Sequence, residues 1–514
     1  MTLDPIDLQV VTGALRAACE EMGAALVRSA HSANIKERRD CSTALFDPAG
    51  EMVMQAEHIP VHLGAMPAAV AAVLDEDHCE GMPWILNDPY RGGTHLPDIT
   101  VITPVLLPGG DELLGFAASR AHHADVGGRV PGSMPADSTT LDEEGVVIAP
   151  RPLDDAAIDE LAARMRQPEQ RRADLRAQLA ANRVGALRLI ELAQRLGGET
   201  LHEATGAVLD YAERRTRACI AELPDGPRAA RDVLEAVEGD LELRLTATVD
   251  GDRLTLDFAG SADQHPGNLN CPLAVTRSAA YFAVRVLTDP DVPPSAGAYR
   301  PIEVRAPEGS LLHARFPAAV AGGNVETSSR VADLVLAAFG RALGQGTMNN
   351  LTLGSETLGG PSYGGHVAAS GTPGFTYYET LGGGQGACPD ADGPSAVHVA
   401  MSNTLNTPIE ALELEFPLRV TRYAIRRGSG GAGEHRGGDG VIRELEARAP
   451  MAYSLITERR RHAPPGAAGG EPGARGRNLL NGEELPSKST GALEPGDRLT
   501  IETPGGGGHG SPRA

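Results

Sequence analysis

Two clusters of imidazole and carboxylate side chains flank an apolar stretch in the first quarter of the chain. The first is Thr94-His95-Leu96-Pro97-Asp98 and the second is Arg120-Ala121-His122-His123-Ala124-Asp125. Between them, two apolar runs are separated by Pro108-Gly109-Gly110-Asp111, a turn sequence typical of a β-hairpin. A hairpin brings its outer ends together, so we expect His95 and Asp98 to lie beside His122, His123 and Asp125.

These side chains suit a divalent transition metal, because imidazole and carboxylate groups without cysteine form a common ligand set. Three or four protein ligands leave a coordination position for water or substrate, which is the pattern of catalytic sites. The ligand types admit zinc, manganese, iron or cobalt and do not select among them. The alternative is that both clusters are solvated loop residues, since the His-x-x-Asp spacing alone is a weak signal.

Further polar residues precede the hairpin. Asp40 stands at the mouth of an apolar strand and is a possible fourth ligand; the alternative is a surface ion pair with Arg38 or Arg39. His58 and His62 have a spacing that could place both near the site, although positions in the core or in loops are commoner for such histidines.

Composition excludes several classes of partner. The chain has 514 residues, enough for about three domains, and 46 basic against 68 acidic residues give a net charge of −22. This charge argues against nucleic acid or an anionic membrane surface as a partner. The two lysines, Lys36 and Lys488, lie outside any phosphate-binding Gly-x-x-x-x-Gly-Lys loop, so we do not expect this chain to bind ATP by that route.

The expected location is the cytoplasm. Six cysteines are scattered without a Cys-x-x-Cys pair, as in reduced proteins. Asp4 and Asp7 stand where a signal peptide needs basic and then apolar residues. No run approaches the ~18 apolar residues of a membrane span.

Local patterns predict an α+β, multidomain fold. Asp4-Pro5 and apolar residues at helical spacing predict a helix to about Ser29, and Ala44–Phe46 with Met52–Met54 predict a second hairpin. Helices are expected within 155–222, 275–289 and 330–343, and a hairpin turn at Asp250-Gly251. Short strands such as Tyr453–Ile456 and Arg498–Ile501 stand among late glycines, which we interpret as close backbone approaches rather than flexible linkers. The predicted regions are a mixed α/β metal-site region (1–150), a helical segment (151–225), a mixed α/β middle region (226–420) and a β-rich, glycine-rich C-terminal region (421–514).

The sequence resembles the hydantoinase B/oxoprolinase family, which includes the B-type subunits of ATP-dependent hydantoinases, oxoprolinases and lactamases and the related acetone carboxylase alpha subunits. The resemblance covers nearly the whole chain. The motifs that carry it are Arg39-Asp40-Cys41-Ser42-Thr43-Ala44-Leu45-Phe46-Asp47, His58-Ile59-Pro60-Val61-His62-Leu63-Gly64, Asn87-Asp88-Pro89-Tyr90, the two clusters described above, Tyr378-Glu379-Thr380-Leu381-Gly382-Gly383-Gly384, Ser402-Asn403-Thr404, Gly430-Gly431-Ala432-Gly433 and Thr503-Pro504-Gly505-Gly506-Gly507-Gly508-His509-Gly510.

The resemblance implies a division of labour within a complex. ATP is bound by a separate A-type ATPase subunit, which phosphorylates a carbonyl oxygen of a cyclic amide, and the B-type subunit opens the ring at a metal. The implied complex is a heterotetramer with two copies of each subunit. The implied metal ligands are Asp40, His95, Asp98 and His122. By position alone, His123 or Asp125 is predicted to transfer a proton, and Glu379 is predicted to bind substrate or, equally well, to hold its loop by a structural hydrogen bond.

Other functions remain open at this point. The same subunit logic serves ATP-dependent carboxylation of a ketone, although carboxylases of this family tend to have longer chains and a further small subunit. A third interpretation is a non-catalytic scaffold for the ATPase subunit, which the acidic ligand cluster disfavours. We therefore expect a hydrolytic subunit for a hydantoin, 5-oxoproline or another lactam.

Overall fold

The computed structural model describes residues 4–79, 81–110, 112–341, 349–355 and 374–512. Within these ranges the strands, in chain order, are β1 (Cys41–Phe46), β2 (Met52–Glu57), β3 (Trp84–Leu86), β4 (Asp98–Leu106), β5 (Leu113–His122), β6 (Arg151–Pro152), β7 (Gly226–Ala236), β8 (Gly239–Asp250), β9 (Arg253–Asp257), β10 (Ile302–Arg305), β11 (Asn349–Ser355), β12 (Phe375–Leu381), β13 (Leu418–Arg426), β14 (Gly440–Ala447), β15 (Met451–Ile456), β16 (Arg477–Leu480), β17 (Glu483–Leu485), β18 (Lys488–Leu493) and β19 (Arg498–Glu502).

The helices of the described residues are α1 (Pro5–Ser29), α2 (Ala33–Lys36), α3 (Ala65–Ala71), α4 (Asp155–Ala163), α5 (Pro168–Leu196), α6 (Gly198–Ala221), α7 (Leu273–Leu287), α8 (Ala296–Tyr299), α9 (Ser328–Ala338) and α10 (Ile409–Glu415). A 3₁₀ turn, Pro60–His62, follows β2, and a π-helical turn, Gly323–Thr327, leads into α9. Helices and mainly antiparallel sheets occur together, which confirms the α+β multidomain fold class.

The first sheet carries the predicted clusters. Its strand order is β2-β1-β5-β4-β3-β6, and both predicted hairpins, β1–β2 and β4–β5, are confirmed. The β4–β5 register pairs Asp98 with His122, so the hairpin does bring the two outer ends together. Asp111 of the predicted turn lies outside the described residues.

One face of this sheet is covered by α1, α5 and α6. Helix α1 begins as predicted, because the Asp4 carboxylate accepts a hydrogen bond from Ile6 N at 2.8 Å and Pro5 occupies the first turn. Its apolar stripe packs on Leu45 and Val53 and on α5 and α6. Gly185 lets α5 approach α1 closely, since a Cβ there would lie 2.3 Å from Met22 Sδ.

The opposite face of the first sheet shares a core with the second sheet, whose order is β10-β9-β8-β7. The predicted turn at Asp250-Gly251 joins β8 to β9, with Gly251 at φ +58°. The predicted helices 275–289 and 330–343 correspond to α7 and α9; residues 342–343 lie outside the described residues.

The third sheet, β12-β11-β15-β18, and the fourth, β13-β14-β19-β16-β17, share a further core. They contain the strands predicted at Tyr453–Ile456 and Arg498–Ile501. The third sheet combines strands from both sides of residue 420, so that predicted boundary does not coincide with a sheet boundary. The division into four regions stays a prediction.

The late glycines occupy close backbone approaches, as predicted. A Cβ at Gly384 would lie 1.9 Å from Gly438 O, and a Cβ at Gly506 would lie 2.0 Å from Gln385 O. Any side chain at these positions would push the loops apart, so the glycines fasten the loop after β12 to the fourth sheet.

Two findings bear on the expectations about membranes and cysteines. Among the described helices, none combines the length and the apolar character that a membrane crossing requires. The six cysteines form no disulfide with one another in the described part of the chain.

Candidate metal centre

Three side chains converge at the ends of β4 and β5. His95 Nε2 lies 3.2 Å from Asp98 Oδ1 and 3.2 Å from His122 Nδ1, and His122 Nδ1 lies 3.3 Å from Asp98 Oδ1. One ligand atom from each residue lies within 4.8 Å of the other two, and all three residues are buried. We call these residues the His95–Asp98–His122 cluster.

Local backbone structure places each member. Asp98 and His122 are register partners across the hairpin. A tight turn, in which Asp98 N donates to His95 O at 3.1 Å, returns His95 over the first residue of β4. The Thr94 hydroxyl donates to Asp98 Oδ2 at 2.6 Å and fixes the carboxylate plane. The cluster is therefore built mainly from two strand ends and one turn.

The cluster fits a divalent cation. Two imidazole nitrogens and a carboxylate oxygen face one another, and each of these atoms carries a lone pair that a shared cation can accept. The far ring nitrogens, His95 Nδ1 and His122 Nε2, are buried without a hydrogen-bond partner among the described residues. This differs from the usual arrangement, in which a second residue accepts from the far nitrogen of a metal-binding histidine.

The protonation states also suit a cation. Burial alone would raise the pKa of Asp98, yet the charge of His95 and hydrogen bonds from His122, His62 and His95 hold that pKa well below its usual range. Burial lowers the pKa of His122, against the opposing effect of its hydrogen bond to Asp98. An ionised carboxylate and a neutral imidazole are the forms that bind metals.

His62 lies at the cluster, although its sequence context favoured a core or loop position. Its Nε2 is 3.5 Å from Asp98 Oδ2, and its Nδ1 is 2.8 Å from Ser42 Oγ. The 3₁₀ turn Pro60–His62 directs the ring toward the strand ends. His58 does not reach the cluster; its Nδ1 lies 3.6 Å from Cys41 Sγ.

Asp40 lies at the same cavity but outside the three residues whose ligand atoms are within 4.8 Å of one another. Its backbone carbonyl accepts from His122 N at 3.0 Å, and its charge raises the pKa of His122. The alternative ion pair with Arg38 is not formed, because the Arg38 guanidinium donates to Tyr378 O at 2.7 Å and to Thr404 Oγ1 at 3.3 Å.

The cavity at the cluster measures about 20 Å³, room for one ion or one water molecule. Tyr378 closes one side by stacking on His122, with ring centroids 4.6 Å apart and planes at 11°. Asn324, from the π-helical turn, lines another side. Tyr378 stood in a motif without an assigned role, and Asn324 had no sequence signal that we can identify.

His123 and Asp125 point away from the cavity. His123 Nε2 donates to Gln178 Oε1 on α5 at 2.9 Å, and burial lowers its pKa to about 4. Asp125 accepts from Gly127 N and Gly132 N at 2.6 and 2.8 Å and pairs with Arg166 at 3.2 Å. The acid–base role of these two residues stays a prediction, but neither side chain lines the cavity.

Glu379 also faces away from the cluster. It is fully buried and pairs with Arg443, whose Nη2 lies 3.2 Å from Glu379 Oε1. Asn406 Nδ2 donates to the same oxygen at 3.1 Å. These contacts correspond to the structural alternative, in which Glu379 holds its loop.

Comparison with known proteins places the whole chain. A family model described as hydantoinase B/oxoprolinase matches residues 4–512. The chain is 39% identical to 5-oxoprolinase 1 of Arabidopsis thaliana over 99% of its own length and 42% of that protein. It is 32% identical to a putative D-/L-hydantoinase component of Pseudomonas sp., named there as the B-type subunit, covering 99% of this chain and 90% of that one. The chain thus spans about two-fifths of the length of the curated relatives that it matches first.

Two solved structures share the fold. The ATP-dependent caprolactamase from Pseudomonas jessenii superposes with a TM-score of 0.87 at 29% identity, covering 99% of this chain and 92% of that chain. Acetone carboxylase superposes with a TM-score of 0.85 at 18% identity, over 99% of this chain and 76% of that chain, a likeness of fold alone. Because the family model and a 32%-identical relative both extend over almost their full length, this chain belongs to the hydantoinase B/oxoprolinase family.

Proposed function

We propose that this chain completes the ATP-dependent opening of a cyclic amide at the His95–Asp98–His122 cluster. The substrate is a lactam, a hydantoin or 5-oxoproline, and a separate A-type ATPase subunit first phosphorylates a carbonyl oxygen of its ring. The observation that carries the proposal is the buried convergence of two imidazoles and a carboxylate in a member of this family. Relatives named as 5-oxoprolinases and as a hydantoinase component, together with the caprolactamase structure, support it.

The chemistry divides naturally into two halves. An unactivated amide is a poor electrophile, and phosphorylation of its oxygen makes the carbon electron-poor and supplies a leaving group. A bound divalent cation supplies the second half, since it lowers the pKa of water toward ~7 and stabilises negative charge.

The residues of this chain hold and enclose that centre. His95, Asp98 and His122 bind the cation, with Asp40 as the proposed fourth ligand, and Thr94 keeps the Asp98 carboxylate in place. Tyr378 excludes bulk water by stacking on His122. His62 Nε2, buried beside Asp98 without a hydrogen-bond partner among the described residues, is placed to hold a proton at the edge of the cavity.

Hydrolysis is favoured over ketone carboxylation. The relatives at 39% and 32% identity carry names of amide-opening enzymes, and the lactamase structure is 29% identical. The carboxylase likeness, at 18% identity, concerns the fold alone. ATP-dependent incorporation of labelled bicarbonate into a product would reverse this preference.

The proposed partner is an A-type ATPase subunit in a heterotetramer in the cytoplasm. The Pseudomonas sp. relative, which this chain covers to 90%, is named as one component of a hydantoinase, and that name supports a separate partner. Neither lysine offers a phosphate-binding side chain: Lys36 ends the short helix α2, and Lys488 is buried against Glu458. ATP is therefore assigned to the partner.

The deciding experiment is elemental analysis of the purified chain beside His95→Ala and Asp98→Ala. We expect about one divalent ion per chain in the wild type and a loss of the ion in both variants, with folding verified by circular dichroism. His462→Ala is the matched control, because that imidazole pairs with Asp240 on the surface. After co-expression with the A-type ATPase, the complex is then tested on cyclic amides.

The results separate the two halves of the proposal. A wild-type chain that stays metal-free in the assembled complex, after divalent ions are added back, would refute the metal centre. Metal binding without turnover of any cyclic amide would leave the centre in place and refute the reaction.

A further inference from the structure

A groove of about 310 Å³ opens beside the cluster cavity, and Ser402 lines both spaces. Its apolar wall is formed by Phe282 and Val286 of α7, Leu336 of α9, and Val399. Pro60, at the start of the turn that carries His62, lines the groove as well. The groove is thus continuous with the cluster cavity and large enough for a small ring.

The polar side of the groove is a histidine in a defined tautomer. Ser402 Oγ lies 3.2 Å from Val399 O, which can only accept, and 3.1 Å from His398 Nδ1. Because the hydroxyl proton goes to the carbonyl, Nδ1–H of His398 donates to Ser402 Oγ, and Nε2 keeps a lone pair. That Nε2 is buried and has no hydrogen-bond partner among the described residues.

His398 also stays neutral near physiological pH. Burial, with a smaller contribution from the positive charge of Arg38, lowers the pKa of His398 to about 4. The buried Nε2 is consequently an acceptor that waits for an N–H donor, since an unpaired buried acceptor costs stability.

No acidic or basic side chain lines the groove in the described part of the chain. Arg38 is fully buried behind it, and its guanidinium donates to Tyr378 O and Thr404 Oγ1. A ligand carboxylate in the groove would therefore lose its hydration without gaining a cation.

We infer that this groove binds the uncharged ring of the substrate, with His398 Nε2 accepting a hydrogen bond from the ring N–H and Ser402 marking the passage to the cluster. The inference rests on the proposed function and narrows it: the substrate class is a neutral lactam or hydantoin rather than 5-oxoproline, whose carboxylate has no partner here. His398 acts in binding and specificity, at a distance from the reacting atoms.

Ligand binding to the chain, alone and in its complex with the A-type ATPase, tests the inference. The probes are pyrrolidinone, N-methylpyrrolidinone, which lacks the N–H, and 5-oxoproline, and affinities come from ligand-observed NMR titration. We expect pyrrolidinone to bind about threefold to tenfold more tightly than either other probe, the value of one buried hydrogen bond. His398→Leu should abolish the preference over N-methylpyrrolidinone.

A second variant guards against a folding effect at His398. Val286 is 48% exposed at the rim, so Val286→Glu should fold and should weaken binding of both neutral probes. Val237→Glu, at a 69% exposed position in the turn between β7 and β8, is the matched control and should leave binding unchanged.

The outcomes keep this inference apart from the proposed function. The inference is overturned if pyrrolidinone does not bind, if 5-oxoproline binds more tightly, or if the complex opens lactams with an unchanged KM in His398→Leu and Val286→Glu. In that last case the proposed function stands. The N–H preference without turnover of any cyclic amide would uphold the groove and refute the proposed function.

Discussion

Replacing Thr94 by valine tests whether the Asp98 carboxylate is preorganised for a cation. Thr94 is fully buried, and its hydroxyl donates to Asp98 Oδ2 at 2.6 Å, a short charge-assisted hydrogen bond worth ~1.5–3 kcal/mol. Valine keeps the branched shape and removes only the donor. Part of that energy is lost whether or not an ion is bound, so we expect metal affinity to fall ~10- to 100-fold, the usual effect of removing a partner of a metal ligand.

Competition against a chromophoric chelator measures this affinity. Thr43→Val is the matched control, since Thr43 is equally buried on β1 and its hydroxyl donates to Cys19 O at 2.7 Å, away from the cluster. Both variants should lose some thermal stability, and only Thr94→Val should lose metal. An equal affinity in the two variants would refute the idea that Thr94 orients a metal ligand.

Three further predictions concern residues outside the cluster. Glu379→Gln should lower Tm strongly, because it leaves Arg443 buried without its counter-charge at a cost of ~3–5 kcal/mol, and adding Arg443→Met should recover part of the loss; a raised KM at unchanged Tm would instead indicate substrate binding. His123→Ala and Asp125→Ala should lower Tm with metal content unchanged, since both side chains are bonded away from the cavity; turnover lost at wild-type Tm would support their acid–base role. His398 protonates near its ordinary pKa of ~6.5 when unfolded but only at about 4 when folded, so its contribution is present above pH ~6.5 and is lost as pH falls toward 4. His398→Leu should therefore lose ~2–3 kcal/mol less stability than the wild type on acidification to pH ~4.5, measured as the Tm difference between the two pH values; equal differences in both chains would contradict the buried neutral form.

Local elements were predictable because their signals are local. Asp4 and Pro5 start α1 by satisfying or omitting amide donors, and Asp250-Gly251 turns the chain between two alternating strands. The sheet orders were not predictable, since β1 inserts between β2 and β5, and β11 pairs with β15 across about a hundred residues. Such pairings depend on tertiary packing, which periodicity does not encode.

The site shows the same limit one residue at a time. Hairpin geometry correctly brought Asp98 to His122, because the ends of paired strands meet. Successive residues of a strand face opposite sides, so either His122 or its neighbour His123, but not both, could face the cluster, and the pattern alone did not decide which. Along β12 the same alternation turns Tyr378 toward the cavity and Glu379 toward Arg443.

The cluster also links distant parts of the chain. Tyr378 of the third sheet stacks on His122 of the first, and Leu405 N donates to Arg38 O at 3.1 Å, so β12 and the loop near residue 405 lie against the strand that begins after Asp40. A ligand that binds only this assembled arrangement stabilises it by about 4 kcal/mol at a thousand times its dissociation constant. Occupation of the cluster therefore favours docking of the third sheet on the first, and with it the closed cavity that the proposed chemistry requires.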